Sequence, residues 1–449
     1  MEYNPRAEAY WDAAALETDM KAAFAICNGC RLCYNLCPAF PSLFRAVEGH
    51  DDAVEALTGS ELEQVADLCY QCKLCFVKCP YVPPHPFDLD FPRLMLRYKA
   101  VRARRQGIGR TDRFLGDPER VGRLGHLAPG LANWGNRNPT LRRAMARILG
   151  IDPRRRLPRF PAVRFSEWLQ RQRGAAALTR AAQEAADADV VIFTTCTVEY
   201  HEPGIGQAAL AVLAHNGIRA AVPEGQRCCG MPALDGGDIA AATAKARANV
   251  ELLAPYARAG KKILALQPTC AMVLKQEYRF LLGTPEAEAV AAATEDITEY
   301  LARALKEGRL KREFPRAPAR LTYHLSCHTK AQGLNRAGRD LLSATGAQVT
   351  MVDHCAGIDG TWGLKAAFYD ESQKVAAKMT AAFRKAHEVA ACGDCALAGL
   401  QIQVATDRPP RHPVEILAEA YGLTGADAAE GQGREVRNAT VDPGGHQAD

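Results

Sequence analysis

Eight cysteines within the first 79 residues leave this chain few ways to fold. They form two copies of one spacing, Cys27-x2-Cys30-x2-Cys33-x3-Cys37-Pro38 and Cys69-x2-Cys72-x2-Cys75-x3-Cys79-Pro80. Two residues between neighbouring thiols leave too little chain to reorient them into disulfides. The same short loop can instead wrap three corners of a four-iron, four-sulfur cube. Structural zinc is the plainer alternative, but zinc takes four ligands, commonly as two separated Cys-x2-Cys pairs. A third Cys at equal spacing, followed by Cys-Pro, has no place in that pattern.

The doubled run has the bacterial ferredoxin spacing, in which the fourth Cys ligates the other cluster. One 4Fe–4S cluster is therefore expected on Cys27, Cys30, Cys33 and Cys79, and a second on Cys69, Cys72, Cys75 and Cys37. Sixteen cysteines in one chain suit metal ligation in a reducing compartment better than a disulfide framework. The opening Met1-Glu2-Tyr3-Asn4-Pro5-Arg6 has no basic segment ahead of an apolar one, and no run of about 18 apolar residues occurs. A cytoplasmic protein is expected, with the inner membrane face as a candidate peripheral location.

The net charge of +5 is unevenly spread: residues 97–180 hold 20 Arg and one Lys against five carboxylates, an excess of +16 that leaves −11 elsewhere. Such a segment could meet anionic headgroups or an acidic partner, or be a solvated connector of short helices. Aromatic residues do not alternate with the charges, so no nucleic-acid partner is expected.

Residues 1–26 read as helical, with an aromatic pair at Tyr10 and Trp11. Residues 51–68 read as helical turns broken at Gly59, with Ser60 and Glu63 as a capping box. The stretch from Phe91 to Arg105 sets apolar residues against a basic face, an amphipathic helix that could pack between domains or touch a membrane. Regular α/β patterning resumes at Ala188, with apolar strands near 188–195, 218–222 and 262–266 alternating with helices, then again near 320–326, 348–352 and 387–391. Short buried strands between helices imply parallel sheets covered on both faces.

Each predicted strand leads to a cysteine, and ligands of open parallel sheets bind outside the carboxyl ends of the strands. The first half offers Cys196, Cys228, Cys229 and Cys270; the second offers Cys327, Cys355, Cys392 and Cys395, with His354 and His328 as candidate additional ligands. Each half is expected to bind a further cluster or zinc. Gly204-x-Gly206-x2-Ala209 matches a dinucleotide fingerprint, but eight residues separate it from its strand; no cofactor beyond the clusters is expected.

Both halves resemble the Cys-Cys-Gly cysteine-rich domain shared by heterodisulfide reductase and the iron–sulfur subunits of flavin-linked dehydrogenases. With the doubled run in front, residues 20–423 are most similar to the family of the iron–sulfur subunit of anaerobic glycerol-3-phosphate dehydrogenase and of the glycolate and lactate oxidation iron–sulfur subunits. The segments carrying this are Tyr323-His-Leu-Ser-Cys-His328, Cys355-Ala-Gly-Ile-Asp-Gly-Thr-Trp-Gly-Leu-Lys365 and Cys392-Gly-Asp-Cys395. Two departures stand out: Ala271-Met272-Val273 follows Cys270, so the final thiol of Cys-x2-Cys reads as missing, and His354 stands where a Cys is expected.

The expected organisation is a helical two-cluster ferredoxin-like domain (1–100), a basic Arg-rich connecting segment (101–180), two tandem Rossmann-like α/β cysteine-rich domains (181–315 and 316–423) and a disordered tail (424–449). The resemblance implies an electron-transfer subunit that lacks its own flavin site and works between a flavoprotein dehydrogenase and a quinone or other carrier. The alternative is a heterodisulfide or thiol reductase acting at Cys228 and Cys229.

Overall fold

The computed structural model describes residues 1–174, 177–358, 360–387 and 389–423; the expectation for 424–449 lies outside the described residues. The leading hundred residues are helical. Helices Ala13–Cys30, Ala39–Glu48, Gly59–Leu68 and Phe91–Gln106 close around Phe24, Phe40, Phe44, Leu62 and Phe91, with Phe40 and Phe91 stacked 4.6 Å apart. The capping box belongs to Thr58 and Glu61, two residues before the expected pair. The sequence holds the motif twice in overlapping register; the helix starts at Gly59, which makes Thr58 the cap, and Glu63 instead pairs with Arg102.

The helix Phe91–Gln106 packs between domains. Leu94, Met95, Leu96, Arg97 and Lys99 on it are all buried; the Arg97 guanidinium donates to the carbonyls of Tyr10 and Ala9 and the Lys99 ammonium to the carbonyl of Cys69.

Two small parallel sheets follow. The first, ordered β2-β1-β3-β4, joins β1 (Val190–Phe193), β2 (Ala220–Ala221), β3 (Lys262–Ala265) and β4 (Thr294–Asp296). The second, ordered β6-β5-β7, joins β5 (Arg320–His324), β6 (Gln348–Val352) and β7 (Ala390–Gly393). Every ladder is parallel, as the apolar runs predict. β4 has no apolar signature: its Thr-Glu-Asp is placed by pairing with β3 and by Asp296, which caps the helix Ile297–Lys306 through a capping box with Glu299. The strand expected at 387–391 begins later, at Ala390.

The helical region docks on both halves. Glu277, fully buried at the end of a π-helical turn Val273–Glu277, pairs with Lys73 and Arg93. Burial alone would raise its pKa, but Arg93 and Lys73 outweigh burial and hold it at about 2. On the second half, Trp362 donates its indole N–H to the carbonyl of Asp67 at 2.9 Å.

The Arg-rich segment is folded onto the rest. Ile151 bridges to Lys365, and buried Arg155 donates to Gln401 and Ser372. Glu119 accepts the backbone N–H of Cys228 and pairs with Lys245.

Candidate metal centres

The two front loops cross as the spacing requires. Cys27, Cys30, Cys33 and Cys79 line one cavity, walled by Ile26, Phe40, Phe44, Tyr81 and Leu89. Burial, then Cys33, Cys79 and Cys30, push the Cys27 thiol above its ordinary range; burial with Cys79 and Cys30 takes Cys33 up to about 11. Cys37 stands with the other run: burial and then Cys69 raise it, against N–H donation from Ala39 and Phe40. Cys75 is raised by burial and by Cys72, Cys69 and Cys37. Thiols held this way cannot all ionise unless a cation joins them, and ligation requires thiolate, so both donor sets fit an iron–sulfur group. Among the described residues no three His, Cys, Asp or Glu side chains crowd together as a single metal ion requires; the irons of a cube, one to each thiolate, need a wider spread.

In the first half Cys196, Cys228, Cys229 and Cys270 converge at the carboxyl ends of β1, β2 and β3. The Cys196 and Cys228 sulfurs lie 4.0 Å apart. Hydrogen bonds with Cys196 and Cys229 hold Cys228 well below the usual thiol range, against burial, with the Gly230 N–H and the Lys245 ammonium adding to them. Cys196 is raised first by its hydrogen bond with Cys228, and Cys229 by its bonds with Cys228 and Cys270. A cavity of about 320 Å³ reaches Cys196 and Cys228 from the surface, bordered by Phe165, Leu169, Tyr200 and Gln226.

The second half is arranged differently. Cys327 and Cys355 pack with Tyr70, Cys72 and Trp362, beside Cys37. Cys395 borders the neighbouring cluster that contains Val352 and Ala356. Cys392 packs in a separate apolar group. It sits inside β7 opposite Tyr323, fully buried among Leu321, Leu325 and Ile416, and its thiol is raised by burial and then by Asp394.

Cys395 stands immediately before the helix Ala396–Thr406, while Cys270 lies in the helix Pro268–Met272. The residue immediately before that second helix is Gln267, which takes the place of Cys395; its side chain accepts the N–H of Ala396 at 3.1 Å.

The two histidines also part. His354 is exposed, and its carbonyl accepts from His324. His328 is buried with both ring nitrogens engaged, Nε2 with the carbonyl of Gln71 at 3.1 Å and Nδ1 with Thr269 at 2.8 Å. It ties both cysteine-rich halves to the front loops.

Sequence reasoning missed Tyr70, Glu119, Lys245 and Gln267. Only Tyr70, between Cys69 and Cys72, carried any local signal.

Comparison with known proteins agrees with this division. Residues 20–107 match the Citrate utilization protein B Fer4-like domain, and residues 190–275 and 321–398 each match the Cysteine-rich domain family. The chain is 30% identical over 287 residues to the C subunit of anaerobic glycerol-3-phosphate dehydrogenase from Escherichia coli (strain K12), covering 62% of this chain and 69% of that protein. It is 30% identical over 188 residues to lactate utilization protein A of Exiguobacterium sp. (strain ATCC BAA-1283 / AT1b), covering 39% and 74%. Over 215 residues it is 28% identical to lactate utilization protein A of Bacillus thuringiensis (strain Al Hakam), covering 46% and 87%.

Proposed function

The chain belongs to the iron–sulfur family that includes the C subunit of anaerobic glycerol-3-phosphate dehydrogenase, with a Fer4-like domain ahead of two cysteine-rich domains, and on that premise we propose that it carries electrons from a flavoprotein dehydrogenase of glycerol-3-phosphate, glycolate or lactate type to a quinone or other carrier. The front region is a two-cluster ferredoxin-type domain and the late halves are Rossmann-like. One 4Fe–4S group is held by Cys27, Cys30, Cys33 and Cys79, the other by Cys69, Cys72, Cys75 and Cys37. Such groups supply reversible one-electron transfer at potentials set by hydrogen bonds, charge and exposure.

The first late half holds its metal or cluster with Cys196, Cys228, Cys229 and Cys270. The second uses Cys327, Cys355 and Cys395, without Cys392 and without the two histidines.

The crossing of Cys79 and Cys37 between the two loops carries this reading. Protein reconstituted without oxygen is expected to hold about eight irons in the front domain and to show reduced-cluster EPR signals. Fewer than about four irons per chain, with no such signal, would end it.

The cavity at Cys196 and Cys228 favours one second reading, a disulfide or thiol reductase. The isolated chain, given a chemical reductant, would then turn over a disulfide and lose that turnover in Cys228→Ser.

A membrane contact, if made, belongs to the Arg-rich segment and not to the buried helix Phe91–Gln106. Of eleven exposed large apolar side chains among the described residues, six are Leu124, Leu127, Leu131, Trp134, Leu141 and Ile148, set among exposed Arg120, Arg123, Arg137, Arg143 and Arg147. Sedimentation with phosphatidylglycerol vesicles is expected to exceed that with phosphatidylcholine, to weaken with salt, and to fall several-fold in a Leu127→Glu, Trp134→Glu double variant. Equal sedimentation with both lipids would refute it.

A further inference from the structure

The front domain touches the two cysteine-rich halves in different ways. It meets the first half through apolar packing of Tyr10, Leu96 and Ala100 and through ion pairs, Glu277 with Lys73 and Arg93 and Asp235 with Lys99.

At the second half the thiols themselves meet. Tyr70, held between Cys69 and Cys72, is 2% exposed, and its hydroxyl lies 3.8 Å from the sulfur of Cys355. Its ring packs 4.9 Å from Trp362, which stacks on Phe368 at 5.2 Å. Cys37 packs against the same group, and the Cys355 sulfur also accepts the N–H of Gly357 at 3.3 Å. His328 joins the same seam from beside Cys327 through the carbonyl of Gln71.

We propose that electrons leaving the front domain enter the second cysteine-rich half, not the first, and that Tyr70 is the positioning residue of that junction. The inference rests on the electron-transfer reading above. With Cys355 as a thiolate, the phenol is the donor. Its O–H withdraws electron density from that sulfur, and hydrogen bonds to ligating sulfurs are among the levers on potential. The transfer makes and breaks no bond: one electron leaves the Cys37–Cys69–Cys72–Cys75 side and one arrives at the Cys355 side. Tyr70 thus shortens the gap with its ring and makes the receiving side easier to reduce with its hydroxyl.

The test is an EPR-monitored redox titration of the reconstituted full chain. Tyr70→Phe keeps the ring and removes the donor. The midpoint of the second-half centre is expected to fall, moving its equilibrium with the front centres about three- to tenfold toward the front, where tenfold is 59 mV for one electron. The first-half signal and the Cys27–Cys79 signal should not move. Trp362→Phe, which loosens the same packing but leaves the phenol, should leave the second-half midpoint unchanged.

An unmoved midpoint in Tyr70→Phe overturns the role of Tyr70 while leaving the electron-transfer reading intact. Equal shifts in both variants would mean packing alone and would also overturn it. A second half that takes up no electron even in the unaltered chain overturns the late part of that reading, and this inference with it.

Discussion

Replacing Glu277 with Ala is expected to be the most destabilising single change at the seam between the front domain and the first cysteine-rich half. Glu277 is wholly buried, and Lys73 and Arg93 are each only slightly exposed, so removing the carboxylate leaves two cations facing a dry interface. Breaking a buried pair by deleting one partner costs about 3–5 kcal/mol, much of it from the charge left behind. The denaturant midpoint should fall accordingly, and proteolysis between the domains should speed up. Glu277→Gln should do less harm, because its amide oxygen still accepts one hydrogen bond.

The same pair sets a pH dependence. The folded Glu277 holds its proton only near about 2, against 4.5 for the ordinary group. Its contribution is complete above about 4.5 and declines as pH falls from there toward 2, because the unfolded chain takes up the proton first. The Ala variant should therefore lose part of the acid sensitivity of the native chain between those values. An unchanged midpoint for Glu277→Ala at neutral pH would show that the pair does not hold the seam.

How much of this was legible in the sequence depended on distance along the chain. The front thiols were, because eleven residues of spacing encode the loop and the ferredoxin pattern encodes the exchange of Cys37 and Cys79. The strands carrying Cys196, Cys270 and Cys327 were, because runs such as Val190-Val-Ile-Phe193 suit only a buried parallel ladder. Cys392 was not. Counting thiols in fours treats a cysteine inside a strand and one past its end alike, and only the pairing with Tyr323 separates them.

The Arg-rich segment misled for a related reason. Arginine reads as a solvent-facing residue, but Arg97, Arg142, Arg155 and Arg173 are buried, and Arg142 donates to the carbonyls of Asp152 and Arg155. A fork of donors can meet the carbonyls of an irregular chain that has no ladder to satisfy them, so composition could not tell these arginines from the exposed ones. The contact between Tyr70 and Cys355 spans 285 residues and leaves no trace in either local motif.

Replacing Cys79 with Ser should remove the same centre as replacing Cys30, although Cys79 belongs to the other run. If each run closed its own cluster, Cys79→Ser would damage the centre of Cys69, Cys72 and Cys75. Instead Cys79 shares a cavity with Cys27, Cys30 and Cys33, and its thiol, raised first by burial, is raised by Cys30 as well. Loss of one thiolate from this set is expected to lower front-domain iron from about eight to about four and to abolish one of two reduced-cluster signals. Cys37→Ser should abolish the other. The pairing of phenotypes is the decisive part: Cys79→Ser and Cys30→Ser should give one spectrum, Cys37→Ser and Cys72→Ser the second. Electron delivery to the second cysteine-rich half should fall to near zero in the Cys37 and Cys72 variants, because the Cys37 and Cys72 side chains pack with Tyr70 and Cys355. It should survive from a small-molecule reductant in the Cys79 variant, which loses only the outer centre. A Cys79→Ser protein whose spectrum matched Cys72→Ser would overturn the crossed assignment and the order of centres built on it.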